Sequence, residues 1–456
     1  METNKNNRLL AVVSLSVLVA SLGTSIVNIA LPSFTEYFSA SFQSVQWVVI
    51  AYLLTVTVFV IIVGKLADQY GHRNVLFAGI VLFTLSSFLA GFAKNIYLLI
   101  VLRGFQGIGA AALSTVSMAM AKNNIAQKKM GTAMGLMGTM SAIGTAMGPS
   151  VGGLLLANLG WSYIFFFLTV LGCSVMLLSV RFVPKEGNIN KDGPRINFAA
   201  VLLLSLSVGA YALTMTISKN HINIYTIILF GFSMISVRLF FTVQKRGENP
   251  LIDIVILKNK ALVSSLFSNF VVASVMMTTL IVGPFFLSLG LGLNEARVGL
   301  LMTAGPVISI LTGIPSGKIV DKIGTHITMK GGLFLLLAGT FALAFLPAIW
   351  GWVGYICGII LLTPGYQLFQ AANNTSVMLA VVEKQGGIVS GILNLFRNIG
   401  LVTGASLMGT IFSMAVTHAP VALNKAETMF FGIEITFLTA SLPILLVLIK
   451  TSFRKN

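Results

Sequence analysis

"GKLADQYGHR", residues 64–73, and "GKIVDKIGTH", residues 317–326, are two copies of one charged phrase. Gly64, Lys65, Asp68 and Gly71 match Gly317, Lys318, Asp321 and Gly324 at the same spacing. Charge is otherwise scarce, because 9% of the 456 residues are charged and 56% are hydrophobic. A water-soluble chain of this length needs roughly a quarter of its residues charged to cover its surface. The composition fits a chain solvated by lipid, and the repeated phrase marks two related halves within it.

Working outward from the two copies, apolar windows predict about fourteen spans, each long enough for the roughly 20 residues that cross a bilayer as a helix. They fall at 9–31, 45–64, 74–93, 96–120, 131–157, 161–183, 197–217, 223–243, 261–289, 297–316, 327–346, 352–378, 386–416 and 429–449. Each copy of the phrase follows the second span of a six-span block if the pair at 197–243 is an insertion. The expected fold is an all-α membrane protein of two pseudo-symmetric six-helix bundles. The first takes residues 1–183 and the second 261–456, with a linker and inserted helix pair at 184–260. Repeats of this kind mark secondary transporters, whose site lies between halves that rock against each other.

The net charge of +17 reports topology and not a nucleic-acid partner. Basic residues are scattered through short loops and form no aromatic-interleaved patch. With the N-terminus inside, only Lys94, Lys219, Arg297 and Lys425 of the 29 Lys and Arg fall in outer loops. Arg103, Arg238 and Arg397 lie within spans, and the rest fall in cytoplasmic loops or tails or at the cytoplasmic ends of spans, as the positive-inside rule requires. An even count with both termini inside a bacterial-type cytoplasmic membrane follows. The N-terminal run continues apolar past Gly23 and reads as an uncleaved first span. Cys173 and Cys357 sit singly in apolar runs and give no disulfide framework or metal spacing. No loop is long enough for a soluble domain, and Pro184–Arg195 reads as a linker. No nucleophile–base pair or metal set appears, so no enzyme, cofactor or metal is expected.

The phrase at 64–73 resembles the signature loop of the major facilitator superfamily, and the weaker copy sits where that family repeats it. "LLIVLRGFQGIGAA" (98–111) resembles the fourth-span motif of the family, with Arg103 and Gly107 matching. "GTAMGPSVGG" (144–153) resembles the fifth-span motif of antiporters and exporters. "TSIVNIALP" (24–32), "QWVVIAYLL" (46–54) and "NLFRNIG" (394–400) resemble the fourteen-span drug:proton antiporter branch. The resemblance covers nearly the whole chain and implies export by alternating access.

It also implies roles. Gly64, Asp68, Gly71, Arg73 and Asp321 would form an inner latch that holds one state closed; a solvated surface loop is the plainer alternative. Physically, the Asp68 carboxylate suits a cation or the N-terminus of a neighbouring helix. Gln69 and His72 depart from the usual basic residues there, which makes the latch weaker or pH-sensitive through His72. Gly144, Gly148 and Gly152 share one helix face and allow close helix approach, with Pro149 kinking the helix. Arg103 and Arg397 are intramembrane cations, which face a bundle interior with partners, whether a ligand or structural carbonyls.

The polar residues of the spans are the candidate cavity lining: Asn28, Gln106, Asn269, Gln367, Asn373, Asn374 and Asn394, with Trp47 and Tyr52 as aromatic walls. Such walls suit a small amphiphile, though interhelical hydrogen bonds would serve any single amide as well. Gly23 stands where many members of the branch carry an acid. Glu434 is then the expected proton-coupling group, with Asp68 or the substrate itself as alternatives. A carboxylate-poor cavity with arginine should favour neutral, zwitterionic or anionic amphiphiles over cations. The expected function is proton-coupled export of small drugs or metabolites by a monomer in the bilayer. A dedicated metabolite or siderophore exporter and an uncoupled facilitator stand beside it, and a non-transporting sensor on the same fold further off.

Overall fold

The computed structural model describes residues 2–40, 42–184, 197–217, 224–246, 258–381, 385–420 and 424–452. The linker read at Pro184–Arg195 falls almost wholly outside them, as does Lys219. The described residues are helical throughout their regular structure. In chain order they form α1 (Glu2–Ser25), α2 (Leu31–Tyr37), α3 (Phe42–Tyr70), α4 (His72–Ala90), α5 (Ile96–Asn124), α6 (Met130–Leu159) and α7 (Ser162–Phe182). Then come α8 (Phe198–Ile217), α9 (Ile224–Arg246), α10 (Lys260–Phe285), α11 (Glu295–Met302) and α12 (Ala304–Ile323). The last are α13 (Thr325–Trp350), α14 (Trp352–Leu379), α15 (Gly386–Thr417) and α16 (Lys425–Ser452).

Among the described residues, 13 helical stretches are long and apolar enough to cross a membrane. The segment expected at 197–217 is α8, Phe198–Ile217, whose apolar stretch includes Ala199–Met215. The stretch expected as one span at 297–316 is broken at Thr303 into α11 and α12. Large apolar side chains such as Leu177, Leu300 and Leu446 stand exposed along these helices. A soluble surface does not tolerate such a coat, and lipid covers it.

Helix ends follow side-chain chemistry. Asn95 caps α5 by accepting the Leu98 N–H, and Asn259 caps α10 by accepting the N–H groups of Ala261 and Leu262. Asn424 and Glu427 exchange two bonds in a capping box at the start of α16. Pro284 removes a backbone donor near the end of α10, and the chain continues as a π-type turn over Phe286–Gly290.

The repeated phrase folds the same way twice. Gly64–Tyr70 completes α3, and Gly317–Ile323 completes α12. The break falls on Gly71 (φ 90°) and Gly324 (φ 87°), each starting the next helix. Positive φ is what glycine supplies without strain, and it explains why this spacing recurs.

Two compact units result. One comprises 1–205, 239–254 and 378–395; the other comprises 206–238, 255–377 and 396–456. Within the first, α3 and α4 pack on α5, and α1 packs on α6. Within the second, α13 and α10 pack on α16, around a core that includes Phe286, Leu336, Leu343, Phe369 and Phe437.

Candidate functional site

In the first unit, Asp68 near the end of α3 meets the start of α15. Its Oδ1 accepts the N–H of Gly387 at 2.8 Å and its Oδ2 accepts that of Ile388 at 2.8 Å. These two donors belong to the first turn of a helix, where backbone N–H groups have no intrahelical partner and the dipole favours an anion. His72 Nε2 lies 3.3 Å from Asp68 Oδ1. Gly64 and Gly387 make the approach possible, because a Cβ on either would strike the other's carbonyl. Ser390 Oγ donates to the Thr115 carbonyl at 2.7 Å, and Lys122 Nζ donates to the Val381 carbonyl at 2.7 Å. Of the other expected latch residues, Arg73 lies over the Phe77 ring, and Asp321 is exposed in the second unit.

Arg103 is the largest fully buried side chain of this unit. Its Nε donates to the Val48 carbonyl at 3.0 Å, and its Nη1 donates to the Gly23 carbonyl at 3.1 Å and to Gln106 Oε1. Its guanidinium sits 4.1 Å from the Tyr52 ring centroid, a cation–π contact. Gln106 Nε2 donates to Ser87 Oγ, which donates to the Phe83 carbonyl. Tyr52 donates its hydroxyl to the Ala20 carbonyl at 2.7 Å. Tyr52, Arg103 and Gln106, named separately from the sequence, are therefore one cluster.

Gly107, one residue further on, faces Tyr52 and Thr55 of α3 so closely that a Cβ would overlap the Tyr52 carbonyl. Gly144, Gly148 and Gly152 pack along residues 18–29. Ser25 Oγ donates to the Gly144 carbonyl at 3.0 Å. Pro149 lies in the same helix, α6, and its side chain is outside the described set. The second unit holds a counterpart that sequence reading missed. Gly400 and Gly404 of α15 press on Phe270 and Ser274 of α10, and Ser274 Oγ donates to the Gly400 carbonyl at 2.9 Å. The four-residue spacing of those glycines was the available signal.

The other expected cavity residues divide between the units. Asn28 and Trp47 are exposed in the first. Asn394 is buried there, with Nδ2 3.5 Å from Thr115 Oγ1. Asn269, Gln367 and Asn373 are buried in the second, and Asn374 and Arg397 are half-buried. Gln367 Nε2, Gln370 Oε1, both amide atoms of Asn373 and Arg397 Nε are buried without a hydrogen-bond partner. Native interiors rarely leave such groups unpaired, and apart from Arg397 on α15 they lie on one stretch of α14. Glu434 is half-buried on α16.

Residues 13–405 match the Major Facilitator Superfamily. The chain belongs to that superfamily. It is 29% identical to the multidrug resistance protein Stp of Mycobacterium tuberculosis over 395 residues, 86% of this chain and 73% of that one. It is 26% identical to the riboflavin transporter RibZ of Clostridioides difficile over 418 residues, 90% of this chain and 89% of that one. Its fold is that of the human organic anion transporter MFSD10, with a TM-score of 0.70 at 15% identity, covering 98% of this chain and 99% of the other. The superfamily's members are transporters, and the many apolar helices make this one a multi-pass membrane protein.

Proposed function

We propose that this superfamily member is a secondary active exporter of small amphiphilic compounds, of the fourteen-span drug:proton antiporter branch. It works by alternating access as a monomer in a bacterial cytoplasmic membrane, with both termini inside. One observation carries the reading: Asp68 holds the N-terminus of α15 through two backbone N–H groups. That contact joins residues 319 and 320 apart in sequence and depends on the seating of one helix end against another. A contact present in one state and absent in the other is what biases a two-state equilibrium. The Gly144–Gly152 and Gly400–Gly404 faces supply close helix contacts, each within its own unit. The likeness to a multidrug resistance protein supports the substrate class.

A second reading, a dedicated metabolite transporter, is favoured by the likeness to RibZ across 90% of the chain. Efflux of a fluorescent panel from cells carrying the chain, with and without an uncoupler, tests both. Broad, uncoupler-sensitive efflux is expected. Efflux of one compound alone would favour the second reading, and no efflux of any would overturn the first.

A further inference from the structure

Among the described residues, no carboxylate pairs with the buried cation Arg103. Within residues 1–183 the acids are Glu2, Glu36 and Asp68. Asp68 is committed to the α15 amides, and Glu2 and Glu36 flank the first span. What holds the guanidinium is neutral: the carbonyls of Gly23 and Val48, the amide oxygen of Gln106 and the face of Tyr52. A guanidinium carries five N–H donors. Nε and Nη1 spend theirs on these acceptors, and Nη2 is buried with no partner.

The surrounding bonds lock that arrangement. Gln106 Nε2 donates to Ser87 Oγ and Ser87 Oγ to the Phe83 carbonyl, so Gln106 must present its oxygen to Arg103. The Tyr52 hydroxyl is tied to Ala20, so its ring and not its oxygen faces the charge. No member of the set can turn to neutralise Nη2. An unneutralised cation in a membrane interior is costly, and an oxyanion is the partner that would relieve it most.

Access is short. The two carbonyls that grip Arg103 belong to Gly23 and Val48. Their chain neighbours are the half-buried Thr24 and the exposed Trp47, with Asn28 exposed one turn beyond Thr24. Gly23 is what leaves the charge available, since an acid there would neutralise it from within. A Cβ at Gly23 would meet the Tyr52 hydroxyl at 2.9 Å and the Phe83 ring at 3.1 Å, beside the guanidinium.

We infer that Arg103 Nη2 is the anchor for an anionic group, a carboxylate first of all, on the amphiphile that the chain carries. The inference rests on the exporter reading for its ligand and goes beyond it in naming the charge and the atom.

Binding of two fluorescent probes to the purified full chain tests it: pyrenebutyrate and pyrenebutanol, which differ in carboxylate against hydroxyl. The wild type should bind the carboxylate at least about tenfold tighter, the size of one charge-assisted hydrogen bond. Arg103→Gln and Gly23→Asp should each bring that ratio near one while alcohol binding persists. Gly23→Asp retains the Arg103 side chain, with the Tyr52 hydroxyl and the Phe83 ring giving way to the new Cβ, so it answers if Arg103→Gln does not fold. Equal binding of the two probes by the wild type, binding of neither, or a ratio that survives in the variants overturns the inference. Phosphatidylglycerol added to the micelles should compete weakly. If it alone binds through Arg103, the anion is a lipid headgroup and the substrate assignment fails. Efflux of both probes from cells without any charge preference would sink the anchor and leave the exporter reading standing. Preference in the purified protein without efflux from cells would do the reverse.

Discussion

Asp68 accepts the backbone N–H of Gly387 at 2.8 Å with one carboxylate oxygen and leaves the other for the next amide. A bidentate grip on a helix N-terminus needs both oxygens and the charge. Hydrogen bonds to charged groups are worth about 1.5–3 kcal/mol each. Asp68→Asn keeps the shape but offers one acceptor oxygen and no charge. Efflux is expected to fall at least about tenfold, and deuterium exchange at the amides of Gly387 and Ile388 should rise. Unchanged exchange at those amides in the variant would show that Asp68 does not hold the helix end.

The glycine faces predict effects of opposite sign within one helix. A Cβ at Gly148 would lie 2.6 Å from Ser25 Cβ and 2.8 Å from the Ile26 nitrogen. Gly148→Leu must push α1 and α6 apart, at a cost of about 1–3 kcal/mol or more. Gly153, on the same helix, meets nothing within 4 Å. Gly153→Ala should therefore gain up to about 1 kcal/mol of helix propensity. Thermal unfolding in detergent separates the two, with a lowered midpoint expected for the first and a raised or equal one for the second. Gly404→Leu, facing the Ser274 backbone, should behave like Gly148→Leu.

Much of the fold was written in local terms. Span limits such as 96–120 and 352–378 lie close to the helices Ile96–Asn124 and Trp352–Leu379 because hydropathy and capping are properties of short windows. The phrase at 64–73 and its copy were legible as a repeated loop, and the structure adds that Gly71 and Gly324 turn it at positive φ. The partner of Asp68 was not legible. Nothing in "QGGIVSG" (385–391) signals a carboxylate receptor, since the donors are backbone groups that every residue carries. Arg103 was legible as a constrained cation, but two of its four partners are backbone carbonyls, which leave no sequence mark. The break at Thr303 escaped for a related reason: an apolar run reads as one span whether or not its helix is continuous.

The unpaired amides of α14 separate a binding role from a packing role. Asn373 is fully buried, and neither atom of its amide has a partner. A buried polar group left unpaired costs about 1–3 kcal/mol. Asn373→Leu, close to it in size, should leave the thermal midpoint unchanged or higher. If the amide contacts cargo, efflux should fall about tenfold all the same. A lowered midpoint with unchanged efflux per folded molecule would assign Asn373 to packing.

Substitution of Glu434 tests how transport is driven. A coupling group must take a proton on one side and release it on the other, and it must lie within the membrane. Glu434 is half-buried ten residues into α16, well past the Glu427 that caps the same helix. Glu434→Gln fixes the neutral form. A coupled exporter should then lose the part of its efflux that an uncoupler abolishes in the wild type, while exchange of labelled for unlabelled substrate across proteoliposomes continues. The sign matters, because loss of both fluxes would mean only that the variant cannot cycle. If uncoupler-sensitive efflux persists unchanged in Glu434→Gln, Glu434 is excluded and the proton travels through Asp68 or with the substrate. If the wild type is insensitive to the uncoupler, Gly23 marks a facilitator that runs down the gradient of its own cargo.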